Sequence, residues 1–228
     1  MSAKPPRSQA TSIAGPVGQL EAIVEVPADE QPLGAVVVCH PHPQYGGTMH
    51  NKVAHTLARS FVKLGFAALR FNFRGTEGSE GSYDDGVGEV DDALAALNWV
   101  RQEYANVPIW LAGFSFGAAV ALKAAVVEAV DGLITVAPAV SRFANGLETQ
   151  PQCPWLVVQG DQDELVDIDE TIEWFNSLSP GPELAVLPEA EHFFHGRLVD
   201  LREVVTEFVQ KKAGEVPGSW SDQKWSGV

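Results

Sequence analysis

Short, largely apolar segments punctuate the chain at residues 35–39, 66–73, 109–114, 132–137 and 154–159, the first of them unbroken. A continuous run of this length marks a strand covered on both faces, as in a parallel sheet flanked by helices. The stretches between them change period. Residues 49–64 carry Val53, Leu57, Phe61 and Leu64 at helical spacing and close on Gly65. Residues 86–104 place Val90, Ala93, Leu94, Leu97 and Val100 on one helical face, with Asp84 or Asp85 near the start. An Ala-rich pattern after Ser115 and stretches at 167–178 and 196–211 also read as helices, whereas 18–26 and 183–187 read as strands, the first antiparallel. Strand, helix, strand in this rhythm demands right-handed crossovers. The expected class is therefore α/β, a mostly parallel central sheet with helices on both faces.

No internal repeat or linker divides this pattern. One domain over 13–212 is expected, after a flexible N-terminal segment at 1–12 and before a polar C-terminal tail at 213–228. The tail holds Trp220 and Trp225. A solvated tail is the first reading; docking on the body or on a second subunit, and so a homodimer, is the other.

Composition narrows the class of partner. With 228 residues, 45% of them hydrophobic, the chain can bury a full core, and a formal charge of −15 argues against nucleic acid or an anionic membrane. Cys39 and Cys153 sit in or beside strand patterns, which suits buried reduced thiols. The polar start lacks the apolar core of a leader, and no apolar run approaches the roughly 20 residues a bilayer requires. A cytoplasmic protein is expected.

The chemistry concentrates at predicted strand ends, where open α/β sheets bind ligands. Gly113-Phe114-Ser115-Phe116-Gly117 lies between a buried strand and a helix, the setting in which G-x-S-x-G presents a nucleophilic serine. Glycines flank Ser115 because backbone must pass where a Cβ would clash. Gly160-Asp161-Gln162-Asp163 follows a later strand. A carboxylate there can hold an imidazole in one tautomer and stabilise the imidazolium. Asp163 is favoured because it fits G-x-x-D-x-x-V; Asp161 is the alternative, and Asp167 and Asp169 are expected to cap the next helix. His192 and His195 follow the last strand. His192, earlier in the loop, is the preferred base, giving the chain order serine, acid, histidine. Acyl transfer also needs N–H groups aimed at an oxyanion. Phe116 supplies one; Pro41 and Pro43 have no N–H, so His42 is the natural second donor through its backbone. His40 is expected to organise its loop. Phe114 and Phe193 are the candidate substrate contacts.

Together these residues resemble the α/β-hydrolase superfamily, specifically the small lidless bacterial group related to dienelactone hydrolases and carboxylesterases. His40-Pro41-His42-Pro43 resembles its H-G-x-P oxyanion loop, and Arg74-Gly75-Thr76-Glu77-Gly78-Ser79 its R-G-x-G-x-S turn. The resemblance implies a Ser115-His192-Asp163 triad acting on a small-molecule ester through an acyl-enzyme, with little or no cap, no cofactor and no metal. Thioester or peptide cleavage on the same groups, or a non-catalytic binding protein, are the alternatives. Pro41 replaces the usual glycine, which implies a stiffer oxyanion loop. Ser115 stands where dienelactone hydrolases carry cysteine, which points away from that substrate. The rival chemistry is a metal hydrolase using His40 and His42, with His192 and His195 as further ligands.

Overall fold

The computed structural model describes residues 5–28, 31–143 and 149–215. Its centre is one eight-stranded sheet. The strands are β1 (Arg7–Gly15), β2 (Gly18–Val26), β3 (Ala35–Cys39), β4 (Ala67–Phe71), β5 (Ile109–Phe114), β6 (Gly132–Val136), β7 (Trp155–Gly160) and β8 (Glu183–Leu187). The helices are α1 (Lys52–Lys63), α2 (Gly88–Glu103), α3 (Phe116–Val127), the single turn α4 (Val140–Phe143), α5 (Ile168–Asn176) and α6 (Leu198–Glu215). Strand order is β1-β2-β4-β3-β5-β6-β7-β8, antiparallel across β1-β2 and β2-β4 and parallel from β4 to β8. This is the α/β-hydrolase fold without a lid.

Side-chain alternation along the buried strands feeds two cores. In β3, Val36 and Val38 join Phe61 of α1 and Val205 of α6 on one face. Ala35, Val37 and Cys39 join Leu97 of α2, Phe116 of α3 and Phe175 of α5 on the other. The apolar runs are continuous because both faces are filled. Helix starts follow local chemistry: Asn51 accepts from the Val53 and Ala54 amides at the start of α1. Asp167 caps α5 by accepting from Asp169 and Glu170, so Asp169 lies inside the first turn instead of capping it. Both cysteines are free thiols, Cys39 buried and Cys153 partly so.

Two sequence expectations need correction. The segment 1–12 is not flexible throughout, because β1 begins at Arg7 and pairs along its length with β2. It is an edge strand with one buried side chain, Ile13, so hydrophobic pattern alone does not reveal it. The boundary at 213 falls inside α6, which continues to Glu215; Trp220 and Trp225 lie outside the described residues, as does most of the tail. Among the described residues, no helix is long and apolar enough to cross a membrane.

Candidate active site

β5 delivers its last residue, Phe114, directly into Ser115, and α3 starts at Phe116. Ser115 adopts φ 55° and ψ −117°. A non-glycine residue there stores about 1–3 kcal/mol of backbone strain, which the surroundings must offset. They do so through the Ser115 amide, which donates to the Val136 carbonyl at 2.8 Å, and the Ser115 carbonyl, which accepts from Ala118 at 3.0 Å. The flanking glycines are needed for space. A Cβ at Gly113 would collide with the Gly117 carbonyl, and one at Gly117 with the carbonyls of His40 and Cys39. The oxyanion-loop candidate therefore passes directly over the turn.

Beyond β7 and β8, two loops meet the serine. His192 Nε2 lies 3.1 Å from Ser115 Oγ, and its Nδ1 lies 2.8 Å from Asp163 Oδ2. With Nδ1–H donating to the carboxylate, Nε2 is free to accept from the serine hydroxyl. Asp163 also accepts from the Leu165 and Val166 amides at 2.9 and 2.8 Å and from Gln159 Nε2 at 2.9 Å. Burial alone would raise its pKa; the hydrogen bond and charge of His192 and the two amides outweigh it and hold the carboxyl below its ordinary value. Asp161 does something else, accepting from the Glu189 amide at 2.6 Å to fasten the β7 loop to the β8 loop. His195 is exposed and pairs with Glu191. The geometry thus separates both pairs of candidates that the sequence leaves open.

The expected oxyanion donors sit on either side of this turn. Phe116 is the first residue of α3, so its N–H has no partner within the helix. The His42 and Phe116 rings pack at 4.9 Å between centroids. His40 is wholly buried, with Nδ1 2.6 Å from the Pro41 carbonyl and Nε2 accepting the Phe73 amide at 3.1 Å. Burial, only partly opposed by the Pro41 contact, pushes its pKa down to about 4. Both its nitrogens are hydrogen-bonded, as are those of His42 and His192; among the described residues, no cluster of three or more His, Cys, Asp or Glu is placed to hold a metal ion.

Of the two expected substrate contacts, Phe114 is a correction. It has no exposed surface and packs beneath His192 at 5.0 Å between centroids. Strand parity explains this, since Trp110, Ala112 and Phe114 all point to the α1/α6 core. Phe193 is 39% exposed and meets the His192 ring edge-on at 5.1 Å, so it remains available to a ligand.

Sequence reasoning missed the frame around these groups. Arg74 grips Asp92 through Nε and an Nη, and Asp92 also accepts the Arg74 amide at 2.9 Å. The fully buried Glu89 accepts the amides of Asp84 and Gly86 at 2.8 Å each. Gln159 and Tyr83 touch the acid loop and His42 respectively. A glutamate or aspartate on the apolar face of a predicted helix was the available signal for Glu89 and Asp92.

Comparison with known proteins gives the family. A family model described as X-Pro dipeptidyl-peptidase (S15 family) matches residues 18–152, which include Ser115 but end before Asp163 and His192. A solved α/β serine hydrolase without lid from Xanthomonas campestris is 40% identical, with a TM-score of 0.86, covering 92% of this chain and 97% of its own. The chain belongs to the S15-type α/β serine hydrolases without a lid. An α/β serine hydrolase homologue from Coxiella burnetii is 47% identical at a TM-score of 0.84, covering 87% of this chain and 96% of that one. An uncharacterized protein of Rickettsia prowazekii is 32% identical over 206 residues, 86% of each chain.

Proposed function

We propose that this serine hydrolase cleaves small carboxylic esters through Ser115, His192 and Asp163. The observation that carries the reading is the unbroken hydrogen-bond path from Asp163 Oδ2 to His192 at 2.8 Å and from His192 to Ser115 Oγ at 3.1 Å. His192 Nε2 takes the serine proton as Oγ attacks the carbonyl carbon. The C=O π pair moves onto oxygen, where the Phe116 and His42 amides receive the charge; each such donor contributes about 3–4 kcal/mol to the transition state. Collapse expels the alcohol, protonated by His192, and leaves an acyl-serine. Water, deprotonated by the same ring, then releases the acid. Esters are favoured over amides because an alkoxide leaves more readily than an amine anion. Small substrates suit a site without a lid.

The peptidase reading on the same groups is favoured by the S15 description of the family model. An acyl-chain series of p-nitrophenyl esters, with a thioester and an X-Pro p-nitroanilide, measured alongside fluorophosphonate labelling of Ser115, decides between them. Fastest turnover on short esters supports the esterase reading, and fastest turnover on the anilide replaces it with a peptidase. Absence of both turnover and labelling leaves a binding protein.

A further inference from the structure

The His42 ring is wired at both nitrogens, although its proposed part in the reaction belongs to its backbone. Nδ1 accepts the Gln44 amide at 3.2 Å, so the proton of the neutral ring must be on Nε2. Nε2 lies 3.0 Å from the Tyr83 hydroxyl. The phenol therefore accepts from Nε2–H; burial, with the Asp85 and Glu89 charges beside it, pushes its own pKa up to about 12, so it stays a neutral hydroxyl. The ring is also boxed by Tyr45, Tyr83, Phe116 and Phe143 at centroid distances of 4.7–5.5 Å.

Tyr83 does not stand on a loose loop. Glu89 binds the amides on either side of Asp85, and a Cβ on Gly86 would press on Phe116. The loop holding Tyr83 is thus anchored to α2 at one end and rests against the first residue of α3. His42 meanwhile closes its own turn, its carbonyl accepting from Tyr45 at 3.1 Å and Gly47 at 3.0 Å. The Gln44 N–H bond to Nδ1 ties the orientation of the His42 ring to this same turn, so ring and backbone are held together.

We propose that Tyr83 is a positioning residue for the oxyanion hole, clamping the His42 ring so that the His42 amide holds its aim. The proposal rests on the hydrolase reading above. It makes the Tyr83 hydroxyl important for the transition state and nearly irrelevant to ground-state binding, because the phenol acts through the ring and not on the substrate.

The test is Tyr83→Phe, which removes one oxygen and keeps the ring packing. On the best p-nitrophenyl ester, kcat should fall on the order of 10-fold with KM within about twofold, less than the 10²–10³ for outright loss of an oxyanion donor. In a His42→Phe background the same change should cost nothing more, since the clamp is already absent. Nitrogen-15 NMR of the wild-type ring should show His42 as the Nε2–H tautomer, with Nε2–H exchange accelerated in Tyr83→Phe. Wild-type kcat in Tyr83→Phe, a change confined to KM, or losses that simply add in the double variant would each overturn the clamp. An Nδ1–H tautomer would overturn it whether or not any ester is hydrolysed. The Nε2–H tautomer in a wild-type protein without turnover on ester, thioester or amide would instead overturn the hydrolase reading on which it rests.

Discussion

Two loops bring histidines to the same serine and use them in opposite ways. After β3, His40 spends both nitrogens on backbone, the Pro41 carbonyl and the Phe73 amide. After β8, His192 spends both on side chains, Asp163 and Ser115. A backbone partner cannot change protonation in turnover, so the first ring is a structural brace. A carboxylate and a hydroxyl can exchange protons with an imidazole, so the second ring suits a base. The difference lies in the partners and not in depth, for both rings are buried, at 0% and 3% exposure.

The sharpest way to break this contrast is to remove the rings. His192→Ala, like Ser115→Ala, should lower kcat on the order of 10⁶-fold without unfolding the protein, as steady-state ester kinetics beside circular dichroism would show. Near-normal turnover in either variant would end the serine mechanism.

Asp163→Asn should come next, with a loss of about 10⁴-fold, because an amide cannot hold the imidazole in the required tautomer and charge. Asp161→Asn should stay within about tenfold, since among the described residues the Asp161 carboxylate accepts just the Glu189 amide. Equal losses in the two variants would move the acid.

His40→Ala should show its effect in stability. It leaves the Pro41 carbonyl and Phe73 amide unpaired and opens a void beside Phe73, together about 3–5 kcal/mol by denaturant midpoint. The folded fraction should keep its dependence on His192. The same residue sets a pH effect of similar size. Its folded pKa of about 4 lies below the ordinary imidazole value of 6.5, so the unfolded chain binds the proton more readily. The stabilisation is complete above 6.5 and fades as pH falls from there to about 4, on the order of 3 kcal/mol over the window. Asp163, held below 3.8, adds a further loss only under more acidic conditions. Urea melts from pH 7 to pH 4 should therefore slope less in His40→Ala than in the wild type.

His195→Ala is the smallest expected change, within about twofold in kcat, because this exposed ring pairs with Glu191 and packs on Phe193 rather than facing Ser115. A loss rivalling that of His192→Ala would merge the roles the comparison keeps apart.

How much of this was legible depends on which neighbour decides each residue's place. β2, β3 and β5 were readable because their alternation or continuity reflects burial within the strand itself. The Ser115 turn was readable because it brings its own Gly113 and Gly117 backbones together, although Gly117 also answers to the distant Cys39–His40 loop. β1 was not, since an edge strand of polar residues is held by β2's backbone and advertises nothing in side-chain pattern. The choice of Asp163 over Asp161 was only half legible. Both carboxylates accept loop amides, and only the fold shows which one also faces an imidazole. Phe114 was misplaced by nearness in sequence, although counting alternate positions back to Trp110 assigns it to the core. Tyr83 and Gln159 act through partners 41 and 4 residues distant, and no local motif marks either contact.

The span between serine and base also sets an order of events in the cell. Ser115 and His192 are 77 residues apart. At the usual pace of synthesis, about 5–20 residues per second, the serine turn is made roughly 4–15 s before the imidazole that would activate it. β1 to β6 can begin to pair while the chain is still growing, yet the strained hydroxyl they present has no proton acceptor. On the proposed mechanism, a chain that stops before the loop after β8 holds the serine without its base, and only synthesis past His192 completes the pair.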